Sequence, residues 1–264
     1  MKIGFVQMNV AFGEPERNRE TAARLTAPMN ADLIVLPELF ASGYLFADDR
    51  EVRRLAEPAP NGPTTQFLAA IAREKQCFVV GGIAERADET LFNSAVLVGP
   101  QGFLAVYRKI HLFDQEKRRF TAGDRPFFVV DIGIAKVGMM ICFDWFFPES
   151  ARSLALLGAE VICHPANLVM PYCQKAMVTR CLENRVFAVT ANRIGKEVRP
   201  HGELAFTGGS QITAPNGEVL AAAAVDREGV AVVEIDVQVA RNKKINPLND
   251  LLADRRPECY RLQL

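Results

Sequence analysis

The sequence predicts an α/β protein made of two β-sheets with helices packed outside them. Strand-like and helix-like segments alternate along the chain, and the helical stretches carry apolar residues at three-to-four spacing. About eleven strand-like runs stand against four main helices, more strand than one covered sheet accommodates. The runs at 92–98 and 103–107 are joined by Gly99-Pro100-Gln101-Gly102, a hairpin turn. Antiparallel pairing therefore accompanies the parallel pairing that strand–helix alternation implies.

In chain order, Lys2-Ile3-Gly4-Phe5-Val6-Gln7-Met8 opens the first strand (3–8), and a helix is expected over 15–29. The uninterrupted run Leu33-Ile34-Val35-Leu36 gives a strand over 32–36. A helix over 63–75 follows, with Phe67, Ala70 and Ile71 on one face, and then strands at 77–83, 92–98, 103–107, 127–131 and 135–141. Pro148 suits the first position of a helix over 148–158, with Glu149 in its first turn. Strands at 160–164 and 186–191 flank a helix over 172–184, and further strands lie near 210–214 and 230–235. No linker, repeat or low-complexity segment divides the chain, so residues 1–264 are expected to form a single domain. From Arg241 onward the sequence is charged and turn-rich. This tail, 241–264, is expected to be tied down by docking on a partner subunit.

Composition excludes several classes. Lys+Arg and Asp+Glu both number 31, so nothing favours nucleic acid or an anionic membrane as partner. The longest apolar runs, such as Val137 to Phe143, fall far short of a membrane span. The N-terminus enters the first strand without the pattern of a secretory leader, which predicts a cytoplasmic protein. The six cysteines form no CxxC pair and read as reduced thiols, mostly small buried hydrophobes. His111, His164 and His201 lack metal-ligand spacing, so neither a metal nor a cofactor is expected.

Ligands of open α/β sheets bind beyond the carboxyl ends of strands, and three polar residues follow strands here. Glu38 ends Leu33-Ile34-Val35-Leu36-Pro37-Glu38. It is either a surface glutamate opening a loop or, if buried, a carboxylate with a raised pKa suited to proton transfer. Lys109 follows Val106-Tyr107-Arg108 and is either an ordinary strand-end lysine or a buried cation. Cys142 sits between the strand 135–141 and the helix starting near Pro148. Such a strand–elbow–helix turn presents a nucleophile, and free elbow N–H groups are expected to lower a thiol's pKa and hold an oxyanion; the plain alternative is another buried cysteine. Together they would supply a base, a cation and a thiol to one pocket.

The segments LPELF (36–40), YRKIHLFD (107–114) and MICFDWFFPE (140–149), in that order and spacing, resemble the three signature regions of the nitrilase, or carbon–nitrogen hydrolase, superfamily. The resemblance extends from KIGFVQMN through HPANLVMP and RCLENRVFAVTANR to GGSQITAPNGEVL and is strongest to small archaeal and bacterial nitrilase-like proteins. It implies a four-layer α-β-β-α sandwich of two mixed sheets with outer helices, usually a homodimer or higher homo-oligomer. It also implies Glu38 as general base, Lys109 as oxyanion-side cation, Cys142 as nucleophile and Glu116 as a second glutamate positioning lysine and substrate. The implied activity is hydrolysis of a small linear amide or nitrile through a cysteine thioester. N-carbamoyl hydrolysis and acyl or amido transfer remain open with the same triad. Substrate contacts are expected from Tyr44, the Phe143 backbone N–H, Trp145 and Asn167, although Tyr44 could equally be a loop anchor, Trp145 core and Asn167 a turn residue. Phe146 stands where family amidases for α-keto-acid monoamides carry Arg, which weakens a carboxylate-bearing substrate. The Trp-Glu-Asn run of many nitrilases is absent after Cys142.

Overall fold

The structure, a computed structural model, describes residues 1–260. It contains strands β1 (Lys2–Asn9), β2 (Leu33–Val35), β3 (Phe78–Ala87), β4 (Thr90–Gly99), β5 (Gly102–Arg108), β6 (Val129–Asp131), β7 (Lys136–Met139), β8 (Val161–Pro165) and β9 (Phe187–Ala191). These are followed by β10 (Arg193–Ile194), β11 (Lys196–Arg199), β12 (Gly202–Ala205), β13 (Gln211–Thr213), β14 (Val219–Ala222) and β15 (Gly229–Glu234). The helices are α1 (Pro15–Thr26), α2 (Asp49–Leu55), α3 (Pro63–Lys75), α4 (Glu116–Arg119), α5 (Pro148–Leu156), α6 (Cys173–Asn184) and α7 (Gln238–Arg241). One sheet runs β10-β1-β2-β3-β4-β5 with β15 antiparallel to β1; the other runs β14-β13-β9-β8-β7-β6. Both mix parallel and antiparallel pairs, as β1·β2 and β7·β8 against β3·β4 and β6·β7.

Strand alternation sorts the layers. Ile3, Phe5, Leu33, Val35, Val80, Ala95 and Leu97 share a core with Val137, Met139, Val161 and Cys163 of the second sheet. The intervening Val6, Met8, Ile34, Val79, Val96 and Val98 point the other way and bury Ala22 and Leu25 of α1 and Leu68, Ile71 and Ala72 of α3. α5 and α6 bury Ala151, Leu154, Met177 and Cys181 into the core built around the second sheet. The result is the four-layer α-β-β-α sandwich.

Local signals set the helix starts. α1, α3 and α5 each carry proline in the first turn, where the missing N–H costs nothing. The expected helices over 15–29 and 148–158 end earlier, at Thr26 and Leu156. In the second case Gly158 at φ +91° turns the chain. The strand expected over 135–141 ends its pairing at Met139, because the chain leaves the sheet to form the turn that holds Cys142. Helix α2, the hairpin β11–β12 and strand β14 were not expected: α2 and β11–β12 are charged and largely exposed, which erases their apolar period. Beyond α7 the tail makes an isolated bridge between Lys244 and Asp250 and a 3-10 turn at Pro257–Cys259; its last four residues lie outside the described ones.

Candidate active site

One end of the sandwich gathers the chain where β2, β5, β7 and β8 stop. Beyond β2, Leu36 stays hydrogen-bonded to Val80, and Gly82 donates to the Pro37 carbonyl at 3.1 Å. Glu38 therefore lies on the backbone of β3. A Cβ on Gly82 would come within 2.5 Å of the Glu38 Cα and 2.6 Å of the Leu39 nitrogen, so only glycine fits there. Leu39, at φ +48°, then turns the chain away. Lys109 directly follows β5 and its N–H donates to the Asn93 carbonyl at 2.8 Å. Glu116 opens α4, and its Oε2 accepts the backbone N–H of Phe113 at 3.1 Å, fixing the carboxylate against its own loop.

The three charged side chains meet in the interior. Lys109 Nζ donates to Glu38 Oε1 and to Glu116 Oε1, each at 2.8 Å. Asn93 Nδ2 also donates to Glu38 Oε1, at 2.7 Å, and the Tyr44 hydroxyl donates to Glu116 Oε1 at 2.6 Å. Glu38 and Lys109 are fully buried, and Glu116 is only 4% exposed. Burial raises the Glu38 carboxyl above its usual range, against the opposing pull of Lys109. Burial alone would push the Lys109 ammonium down, but the Glu116 and Glu38 carboxylates outweigh it and raise it. Lys109 thus stays a cation, while the Glu38 carboxyl holds a proton more readily than an exposed glutamate. Removing any one of the three would strand charge in a dry site.

Cys142 stands at φ +39° at the start of a 3-10 turn, Cys142–Phe146, directly ahead of α5. Two buried side chains hold this strained backbone. Asp144 accepts the Ile141 N–H (2.8 Å), the Tyr107 hydroxyl (2.8 Å) and the His111 N–H (3.1 Å), and it faces His111 Nδ1 at 2.7 Å. It thereby ties the cysteine turn to the end of β5 that carries Lys109. His164, at the end of β8, places Nε2 3.0 Å from the Cys142 carbonyl and Nδ1 3.1 Å from Thr190 Oγ1. Burial lowers its pKa to about 4, so the ring is neutral near pH 7 and its Nε2–H donates to Cys142.

The expectation of a lowered thiol pKa at this elbow is corrected. Burial first, and the Glu38 carboxylate second, push Cys142 well above an ordinary cysteine, with Lys109 and the Asn167 backbone N–H only partly offsetting them. Burial thus favours the neutral thiol over the thiolate.

The expected substrate contacts also assemble here. Phe143, Trp145 and Asn167 line a small hollow at Cys142 with Phe113, Leu168 and Met170. Asn167 is buried, and neither of its amide atoms has a hydrogen-bond partner among the described residues; the same is true of Glu38 Oε2. Tyr44 anchors its loop as well as facing the cluster, since its backbone N–H and that of Leu45 are accepted by Glu197. Trp145 both lines the hollow and packs into the core. Asn93, Asp144, His164, Gly82 and Glu197 were not anticipated. Polar residues inside apolar runs, as in Leu91-Phe92-Asn93, Cys142-Phe143-Asp144-Trp145 and Ile162-Cys163-His164, are the signal that could have found them.

Stacked sheets with a carboxylate–ammonium–thiol cluster at one end point to a hydrolase of carbon–nitrogen bonds. Comparison with known proteins makes the assignment. The carbon–nitrogen hydrolase family pattern matches residues 2–244. The chain is 52% identical to a nitrilase from Pyrococcus abyssi, covering 98% of this chain and 99% of that one. It is 38% identical to an (R)-stereoselective amidase from Pseudomonas sp., covering 97% and 92%. Among solved structures it superposes on an amidase from Nesterenkonia sp. AN1 with a TM-score of 0.79 and 27% identity, covering 98% and 97%. That structure is of a glutamate-to-glutamine mutant of the amidase and shows the result of Michael addition of acrylamide at the active-site cysteine. The chain belongs to the carbon–nitrogen hydrolase family and is an enzyme of the nitrilase superfamily.

Proposed function

We propose that the enzyme hydrolyses a small linear amide or nitrile through a thioester on Cys142. The observation that carries this reading is the buried Lys109 ammonium, held between Glu38 and Glu116 and near enough for all three charges to act on the Cys142 thiol. For an amide, Glu38 accepts the thiol proton as sulfur attacks the carbonyl carbon. The developing oxyanion is met by Lys109 Nζ and the Phe143 backbone N–H, donors worth roughly 100- to 1000-fold each in comparable sites. The C–N bond then breaks and ammonia departs with the proton held by Glu38. Water, deprotonated by the same carboxylate, attacks the thioester; the acid leaves and the sulfur is reprotonated. Glu116, pinned by Phe113 and Tyr44, holds the ammonium in place. The unpaired amide of Asn167 and Oε2 of Glu38 offer a donor and acceptors to a substrate amide, whose hydrogen bonds would relieve their burial.

Ammonia release from short aliphatic amides, ω-amides, dinitriles and N-carbamoyl compounds, with Cys142→Ala alongside, tests the reading. A Cys142-dependent signal is expected, and the best class distinguishes amidase, nitrilase and carbamoylase. Hydroxylamine intercepting the acyl-enzyme far better than water would favour a transferase. Silence across the panel, with Cys142 resistant to alkylation, would remove the proposal.

A further inference from the structure

Two hollows adjoin the cluster, and Phe113 lines both. The hollow at Cys142 is about 10 Å³, room for on the order of one water molecule, and Phe113 forms part of its wall. A second hollow of about 390 Å³ is lined by Tyr44, Phe46, Phe113, Glu116, Phe120 and Leu204, so it reaches the Glu116 side of the cluster. Phe113 is braced for this place. Its ring meets Phe143 edge to face at 5.1 Å, and its backbone N–H is fixed to Glu116 Oε2. The larger hollow has aromatic and aliphatic walls from Phe46, Phe120 and Leu204. Asp114, Glu116, Glu203, Arg119 and His201 also line it, and with Arg119 already paired to Asp49 and the Ala47 carbonyl the acidic groups disfavour an anionic tail.

We propose that Phe113 is a specificity-determining partition: it confines the acyl group at Cys142 to a few carbons and shuts off a ready-made subsite for an unbranched, uncharged aliphatic chain. The inference rests on the proposed acyl-enzyme reading, with Phe113 acting through its ring alone. Phe113→Ala keeps the backbone N–H that holds Glu116, so the ion cluster stays anchored while the wall is removed. Each methylene that then enters the larger hollow would be worth about fourfold in kcat/KM.

Two series test this. One follows ammonia release from straight-chain amides, acetamide to octanamide. The other follows acylation of Cys142 by 4-nitrophenyl acetate and 4-nitrophenyl octanoate, read by intact mass against Cys142→Ala. In the second the thiol displaces nitrophenol to give the thioester, so it reports access to sulfur even if no amide is a substrate. The native enzyme should favour the shortest acyl groups by more than tenfold. Phe113→Ala should reverse that order in both series, and Phe113→Leu should fall between. Adding Leu204→Trp to Phe113→Ala, which refills the larger hollow, should restore the preference for short chains. Reversal of the acylation order without any amide turnover would sustain the partition and sink the amidase reading. A chain-length profile in Phe113→Ala and Phe113→Leu parallel to that of the native enzyme, or one unmoved by Leu204→Trp, would overturn the partition.

Discussion

At Glu38 a single carboxylate is pulled in two directions. Burial favours its neutral form, Lys109 and Asn93 favour its charged form, and burial prevails. A base must be deprotonated to act, so activity is present above the Glu38 pKa and is lost as pH falls through it. Because that pKa is raised above 4.5, the acid limb of kcat/KM is expected above the range of a solvent-exposed glutamate. A limb at or below pH 4.5 would mean that Glu38 is not the base. Cys142, pushed up by burial, should add no thiolate limb near neutrality. The sequence could place Glu38, Lys109 and Cys142 at strand ends, because strand ends are where an apolar run stops. It could not show their charge states, which depend on neighbours brought from other elements, such as Asn93 on β4 and Glu116 on α4.

At the scale of elements, the site depends on how closely β3 passes beneath the turn after β2. Gly82→Ala would drive a methyl into the Glu38 and Leu39 backbone, which follows directly on Leu36 and Pro37, both hydrogen-bonded to β3. Overpacking of that kind costs about 1–3 kcal/mol. Thermal melting should therefore fall by about 2–4 °C per kcal/mol, with activity falling further because Glu38 moves. An unchanged melting point and full activity would show that the contact is slack. Nothing in the Val79-Val80-Gly81-Gly82-Ile83 sequence distinguishes this glycine from its neighbour, since the need for it arises only when two strands are laid side by side. The strands β1, β2 and β4 were legible for the opposite reason: both of their faces are buried against apolar layers, so each is written as a near-continuous apolar run. The hairpin β11–β12 has no such layer, and its role is read only from its contacts. Glu197 accepts the backbone of Tyr44 and Leu45 and pairs with the fully buried Arg193.

At the scale of the molecule, the buried site makes stability depend on pH. His164 has an ordinary pKa of 6.5 when unfolded and about 4 in the fold, because burial resists its charge. Between those values the unfolded chain binds a proton that the folded chain does not, so stability falls as pH drops from about 6.5 to 4. The loss from this one residue amounts to about 3 kcal/mol once pH is below both values. His164→Gln should flatten that part of the stability curve, as measured by denaturant midpoints across pH. An identical slope in the two proteins would show that the acid sensitivity comes from elsewhere.

The proposed mechanism turns on Cys142, a thiol kept neutral by burial and activated through Glu38. Intact-mass spectrometry of the enzyme treated with a slowly hydrolysed short amide measures this most directly. The expected result is one acyl adduct on Cys142 in the native enzyme, none in Cys142→Ala, and formation slowed at least 100-fold in Lys109→Met, which loses an oxyanion donor. Turnover without any adduct on Cys142, or an adduct of equal rate in Lys109→Met, would contradict it.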